Sequence, residues 1–152
     1  MRKQKSTALE NLNACKKQLQ GAIKWLNRSY LQCQELSLEK KFSDDDFDKL
    51  ENLTSRFAKV TDLLITKMYR AIDVVELKQP GSLIDTINSA EKKHLIDSVE
   101  QARTLKDIRN EIAREYILED QRLIFSEVLV ETKQLLKLSE KAIAYSEKYT
   151  EQ

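Results

Sequence analysis

Apolar residues recur every three or four positions along most of the chain, which is the spacing of one face of an α-helix. One such stripe runs from Leu9 to Cys33. A second runs from Phe47 to Val75 and stops at Gln79-Pro80-Gly81, the strongest helix-breaking sequence in the chain. The pattern predicts two long amphipathic helices in the first half, the first from about Thr7 to about Leu38. Its stripe consists of Leu9, Leu12, Cys15, Leu19, Ile23, Leu26, Tyr30 and Cys33.

Ser43 and the three aspartates that follow it mark the start of the second helix. The hydroxyl of Ser43 can cap the helix, while Asp44, Asp45 and Asp46 lie at the positive end of the helix dipole. A metal site is the alternative for these carboxylates. They lack the alternating oxygen ligands and the glycine of a calcium loop, so we interpret them as a helix start.

The rest of the chain divides into one short and two longer helical stretches. Ser82 can cap a short third helix, and Asp97 or Ser98 a fourth. A final helix is expected over about Glu119–Lys148, and no segment alternates with the period of a strand. Four long helices and one short one predict a single all-α domain over residues 1–152, an antiparallel up-and-down helical bundle.

The charge and hydropathy of the chain argue against two classes of protein, globally basic nucleic-acid binders and membrane-spanning proteins. The chain has 26 basic and 25 acidic residues, which excludes a globally basic nucleic-acid binder but not a local basic site. No apolar run approaches the length that crosses a bilayer, and no apolar segment of a secretory signal follows the opening Met-Arg-Lys-Gln-Lys. We therefore expect a cytoplasmic protein that does not contact membranes.

The cysteines, the histidine and the tryptophan are expected to have structural rather than catalytic or metal-binding roles. Cys15 and Cys33 would lie ~27 Å apart on one straight helix, too far for a disulfide, so both are expected to be small core residues. His94 is expected to be a solvated loop residue without the partners of a catalytic triad or a zinc site. Trp25 is expected to be buried in the bundle or in a subunit interface. With no glycine-rich phosphate loop either, we expect no metal and no cofactor.

One eight-residue stretch, RNEIAREY from Arg109 onward, differs from the ordinary helix around it. Arg109, Ala113 and Tyr116 are spaced to share one side of a helix, and Asn110 and Arg114 repeat the four-residue step on the neighbouring stripe. Guanidinium groups suit planar, bidentate contact with phosphate, so the stretch predicts an anion-binding site. The alternative is a solvated, salt-bridged helix face.

The region from Gly81 to Tyr116 resembles the HEPN superfamily, in particular its HepT-like toxins. That group carries a helix motif of Arg, four residues, His, one residue and Tyr, often with Asn directly after the Arg. Arg109, Asn110 and Tyr116 match this motif at the right spacing, and the helical layout extends the similarity over most of the chain. The sequence departs from the motif at one position, because Arg114 stands where the family has His.

The resemblance implies a homodimer in which two motif helices form a composite cleft that acts as a metal-independent ribonuclease. Arg109 would stabilise the negative charge of the transition state there, with Asn110 in the same site. The reaction also needs a base that takes the proton from a ribose 2′-hydroxyl. Arg114 cannot be that base, since a guanidinium stays protonated, so we expect RNA cleavage to be lost or weakened.

Three explanations of Arg114 are open. The protein is a natural, degenerate member that binds RNA or nucleotide without cutting; or Arg114 is an inactivating substitution, one base change from a His codon; or another group, such as Tyr116 or Glu111, supplies partial catalysis. The first two together are favoured over the third.

The resemblance also implies a partner protein. HepT-like proteins are usually encoded beside a minimal nucleotidyltransferase, an antitoxin that can attach AMP to the motif tyrosine, here Tyr116. In the alternative interpretation the chain is the substrate-binding subunit of that nucleotidyltransferase and binds nucleotide without cleaving RNA. A third hypothesis is a purely structural helical interaction protein whose arginines are solvated.

Overall fold

The protein is described by a computed structural model covering residues 2–76, 81–114 and 121–150. Every regular element within these ranges is helical, which confirms the all-α prediction. The elements are α1 (Arg2–Cys33), α2 (Asp44–Thr61), a π-helical segment (Asp62–Met68), α3 (Tyr69–Val75), α4 (Leu83–Lys92), α5 (Val99–Arg114) and α6 (Gln121–Thr150).

The predicted second helix is one continuous rod made of α2, the π-helical segment and α3. Asp62 and Tyr69, at the two junctions, both keep right-handed helical backbone angles, so the chain does not turn between these elements. The rod reaches Val75, as the apolar stripe predicts. π-Helical turns occur often at functional sites, and Asp62 is the first residue of this one.

Capping boxes begin the helices at the predicted serines. The Ser43 hydroxyl accepts from the Asp46 N–H at 3.1 Å, and the Asp46 carboxylate accepts from the Ser43 N–H at 3.0 Å. Ser82 and Asp85 repeat this arrangement at the start of α4, and Ser98 caps α5. The aspartate run is therefore a helix start, and no group of acidic, histidine or cysteine side chains suited to a metal ion occurs among the described residues.

Helices α1, α2, α5 and α6 follow one another around the bundle, and each neighbouring pair is in contact. The Cys33 thiol donates to the Lys49 carbonyl, so the end of α1 lies beside the start of α2. Arg122, early in α6, donates to the Leu38 carbonyl just beyond α1, and Tyr145, late in α6, donates to Glu76 at the other end. These contacts make α1 antiparallel to both neighbours.

The space between the helices is filled by the residues of the predicted stripes. Cys15 and Cys33 are buried among them as expected, and the largest fully buried side chains include Leu12, Leu19, Leu26, Phe57 and Met68. Each such side chain contributes on the order of 1.5–3 kcal/mol relative to its exposed state. No helix in the described ranges has the length and apolar character to span a membrane.

Three expectations differ from the structure. α1 begins at Arg2 rather than near Thr7. α1 ends at Cys33 rather than near Leu38, because Leu36 and Leu38 are two positions apart and pack on the core from a turn, which a helical stripe does not permit. The expectation that Trp25 is buried in the bundle is wrong, since its side chain is 49% exposed. The neighbouring Leu26 takes the core position, and the roughly 100° step per residue directs Trp25 outward.

Candidate anion-binding site on helix α5

Arg109 of α5 is held by Asp62, the first residue of the π-helical segment. Its Nε–H donates to Oδ1 of Asp62 at 2.8 Å, and its Nη2 donates to Oδ2 at 3.0 Å. This is the planar, two-bond geometry in which a guanidinium and a carboxylate fit best. Asp62 thereby fixes the direction of the Arg109 side chain between α2 and α5.

The site remains open to solvent despite this ion pair. The Arg109 and Asp62 side chains are 33% and 40% exposed. The hydrogen bonds from Arg109 and the negative charge of Asp62 raise the pKa of the guanidinium, which stays charged at every working pH. Nη1 has no acceptor among the described residues, so Arg109 keeps N–H groups with which to bind an incoming anion.

Asp62 is the member of the site that the sequence interpretation missed. It lies 47 positions before Arg109, and no local spacing marks it. An aspartate at the end of an amphipathic helix has many ordinary roles, so its type gives no signal either. Only the packing of α5 on α2 brings the two residues together.

Asn110 and Arg114 lie one helical turn apart on α5, as their spacing predicts. Arg114 is exposed, and its Nε–H donates to the backbone carbonyl of Asn110 at 3.4 Å. Arg114 is five residues beyond Arg109, which places it ~7.5 Å further along the axis and on another side of the helix. The two guanidinium groups therefore do not converge on one anion within a single chain.

Tyr116, the expected AMP-attachment site, lies outside the described residues. The described members of the predicted site are therefore Arg109, Asn110 and Arg114. Asn110 is half-buried, and Ala113, expected on the side of Arg109, is exposed. This part of α5 thus presents small or polar side chains around the arginines.

The opposite side of α5 borders an acidic groove against α6. Asp107 and Glu111 on α5 and Glu127 and Glu131 on α6 line a cavity of about 330 Å³. Burial raises the pKa of the Glu127 carboxyl, and the neighbouring Glu111 raises it further. Glu111, one of the groups considered for partial catalysis, thus faces this groove, whereas Arg109 reaches towards α2. This acidic groove would repel a phosphate that approaches α5 from the α6 side.

A second polar cluster, also missed from the sequence, lies at the other end of the bundle. Lys93 pairs with Asp73 and, at 2.8 Å, with Glu76, whose other oxygen accepts from the hydroxyls of Tyr145 and Tyr149 at 2.6 Å each. Burial alone would raise the pKa of Glu76, but these donors lower it to about 2. The cluster ties α3, the α4–α5 connection and α6 together, and its carboxylates are already engaged.

His94 has the loop position that the sequence predicts. It is exposed, and its φ of 63° places it in the left-handed region, which ends the turn after α4. Helix α5 rises ~15 Å from Val99, its first residue, to Arg109, and His94 lies before its start. The one histidine of the sequence is therefore not beside Arg109 of the same chain.

Nothing matches this chain in comparisons with protein-family models, with curated proteins or with solved structures.

Proposed function

We propose that this protein is a HEPN-type, HepT-like ribonuclease toxin in origin whose cleavage activity is lost or weakened by Arg114. The observation that supports it is the register of Arg109 and Asn110 late in α5 of an all-helical bundle, with Arg109 oriented by Asp62 yet open to solvent. Anion binding in this setting needs no metal, because a fixed guanidinium supplies the charge.

In the proposed reaction a ribose 2′-oxygen attacks the adjacent phosphorus, and the bond to the 5′-oxygen breaks. A base takes the 2′-proton, the leaving 5′-oxygen receives a proton, and Arg109 stabilises the charge that develops on the phosphate oxygens. Two chains related by a two-fold axis would bring two copies of α5 to one cleft. The cleft would hold Arg109 and Arg114 from each chain and therefore bind RNA strongly, but without a base.

The proposed partner is a minimal nucleotidyltransferase, with Tyr116 as the residue that receives AMP. Each AMP adds a phosphate charge near the arginines, which would both occupy the cleft and weaken its positive field. Intact-mass measurement after co-expression tests this step. AMP-sized additions that disappear in Tyr116→Phe support it, whereas additions retained in that variant assign the modification to another residue.

Restoration of the motif in cells tests the toxin proposal. Expression of Arg114→His should inhibit growth, while Arg114→Gln, which removes the charge without adding a base, should not. Equal growth with both variants at equal soluble protein levels would contradict the toxin proposal.

A second candidate function is nucleotide binding as a subunit of the nucleotidyltransferase. It is favoured by the site as it stands, with two arginines and no histidine near Arg109 among the described residues. It predicts a stable complex with the nucleotidyltransferase and nucleotide affinity that depends on Arg109. It also predicts that neither the wild type nor Arg114→His cleaves RNA.

A further inference from the structure

The outward face of α1 is basic and carries an exposed tryptophan. From Asn11 to Gln34 the sequence contains no Asp or Glu, although 25 of the 152 residues are acidic. Lys17, Lys24 and Arg28 of this stretch are exposed. The near-neutral charge of the whole chain thus conceals a locally positive surface, which attracts polyanions over short distances.

Trp25 sits in the middle of this surface, and two cations lie over its ring. The Lys24 ammonium lies 5.6 Å and the Arg56 guanidinium 5.4 Å from the centre of the ring. Arg56 is itself fixed on α1, since its Nη1 donates to the Ser29 hydroxyl at 2.6 Å. The surface is hollowed by a depression of about 600 Å³, lined by Lys24, Trp25, Asn27, Arg28, Leu31 and Gln32.

The surface around Trp25 lies on α1, on one side of α2, and Arg109 lies on α5, which also packs against α2. Arg56 and Asp62 are six residues apart on the same rod, a separation of ~9 Å along its axis. Arg56 contacts α1 and Asp62 contacts α5, and the exposed Lys59 lies between them in sequence. The cations Arg56 and Lys59 therefore lie on α2 between Trp25 and the ion pair of Asp62 with Arg109.

We propose that the α1 surface around Trp25 binds single-stranded RNA, which then crosses α2 towards Arg109. A base stacks on the Trp25 ring in place of the exposed Lys24 side chain, and the phosphates on either side bind Lys24, Arg28 and Arg56. Aromatic rings flanked by cations suit unpaired bases, whereas the bases of a duplex are stacked on one another and cannot reach the ring. The choice of RNA as the polyanion rests on the proposed function; the stacking surface itself rests on the geometry of α1.

Trp25 is the only tryptophan of the chain, so its fluorescence reports directly on this surface. The intact protein is titrated with an oligoadenylate of about a dozen nucleotides, a length that matches common single-strand binding sites. We expect saturable quenching of Trp25, with little quenching by the same sequence in a duplex or by inorganic polyphosphate. Quenching by polyphosphate equal to that by RNA would overturn the stacking role. A fluorescence change that depends on protein concentration, with no response to RNA, would assign the surface to self-association and overturn the proposal.

Variants separate stacking from charge. Binding is followed through the anisotropy of a labelled oligonucleotide, which does not need the tryptophan. Trp25→Leu should weaken binding by about tenfold with an unchanged salt dependence, because it removes a stacked base and no charge. Arg28→Gln should weaken binding and reduce the slope of log affinity against log salt by about 0.7. Lys137→Gln, which removes an exposed cation from α6, is the matched control and should change neither quantity.

The outcome is separable from that of the proposed cleavage, since binding is measured with Arg114 in place. RNA binding at Trp25 without cleavage by Arg114→His would contradict the ribonuclease proposal alone. Cleavage by Arg114→His that is unchanged by Trp25→Leu, together with unquenched Trp25, would overturn the α1 surface alone.

Discussion

Arg109 of α5 and Asp62 of the π-helical segment form a two-bond ion pair that both orients the arginine and offsets its charge. The carboxylate occupies one edge of the guanidinium and leaves Nη1 to solvent. An anion that binds Arg109 therefore also experiences the negative charge of Asp62. We therefore expect an anion to bind Arg109 more weakly than it would bind an arginine without this carboxylate partner.

Asp62→Asn should strengthen the binding of RNA or nucleotide at α5. The substitution removes a negative charge beside Arg109, which at a solvent-exposed site changes binding by about 1 kcal/mol, or roughly fivefold in Kd. Anisotropy with a labelled oligonucleotide measures the change. Asp107→Asn is the control, because it removes a charge from the opposite side of α5. Weaker binding by Asp62→Asn would show that the orientation of Arg109 matters more than the opposing charge.

Lys93→Met should destabilise the protein strongly. Lys93 is 9% exposed and neutralises Asp73 and Glu76, so its loss leaves two poorly hydrated carboxylates without a counter-ion. The loss of one member of a buried ion pair costs about 3–5 kcal/mol. Urea denaturation should show this change, while Lys49→Met, which breaks an exposed pair with Asp45, should cost less than about 1 kcal/mol. Similar losses for the two variants would contradict the structural role of the cluster.

Stability should fall in acid because of Glu76. Its pKa is about 2 in the folded protein and is 4.5 when unperturbed. A depressed pKa means that the stabilisation is complete above the unfolded value and disappears as pH falls from about 4.5 to about 2. The contribution is at most about 3 kcal/mol. Unfolding free energies of wild type and Glu76→Gln should converge across this window, and a constant difference from pH 7 to pH 2 would refute the assignment.

Both cysteines should be slow to react with thiol reagents in the folded protein. Burial raises the pKa of Cys15, and it raises that of Cys33 to about 11, so little thiolate is present near neutral pH. Ellman's reagent should label both sites quickly only in denaturant. Fast labelling of Cys33→Ser or Cys15→Ser under native conditions would show that the remaining thiol is accessible, against the packing of α1.

Local patterns in the sequence account for most of the fold. The stripes of α1 and of the rod that ends at Val75 follow from periodicity, and the starts at Ser43 and Ser82 follow from capping chemistry, because both depend on residues within one helical turn. The placement of Asn110 and Arg114 on one stripe is of the same kind.

Long-range relationships are what the sequence could not predict. Asp62 meets Arg109, and Lys93 meets Asp73 and Glu76, only after helices pack. The exposure of Trp25 likewise depends on how the helices pack. Burial in the bundle is expected for Trp25 from the sequence, but Leu26 fills the core position and Trp25 is exposed.

RNA cleavage by Arg114→His is the most direct test of the proposed function. The purified variant is incubated with labelled single-stranded RNA in the presence of a metal chelator, beside the wild type and the double variant Arg109→Ala, Arg114→His. The proposal predicts cleavage by Arg114→His that leaves cyclic phosphate ends, little or none by the wild type, and loss of cleavage in the double variant. A folded, dimeric Arg114→His protein that leaves the RNA intact would contradict it.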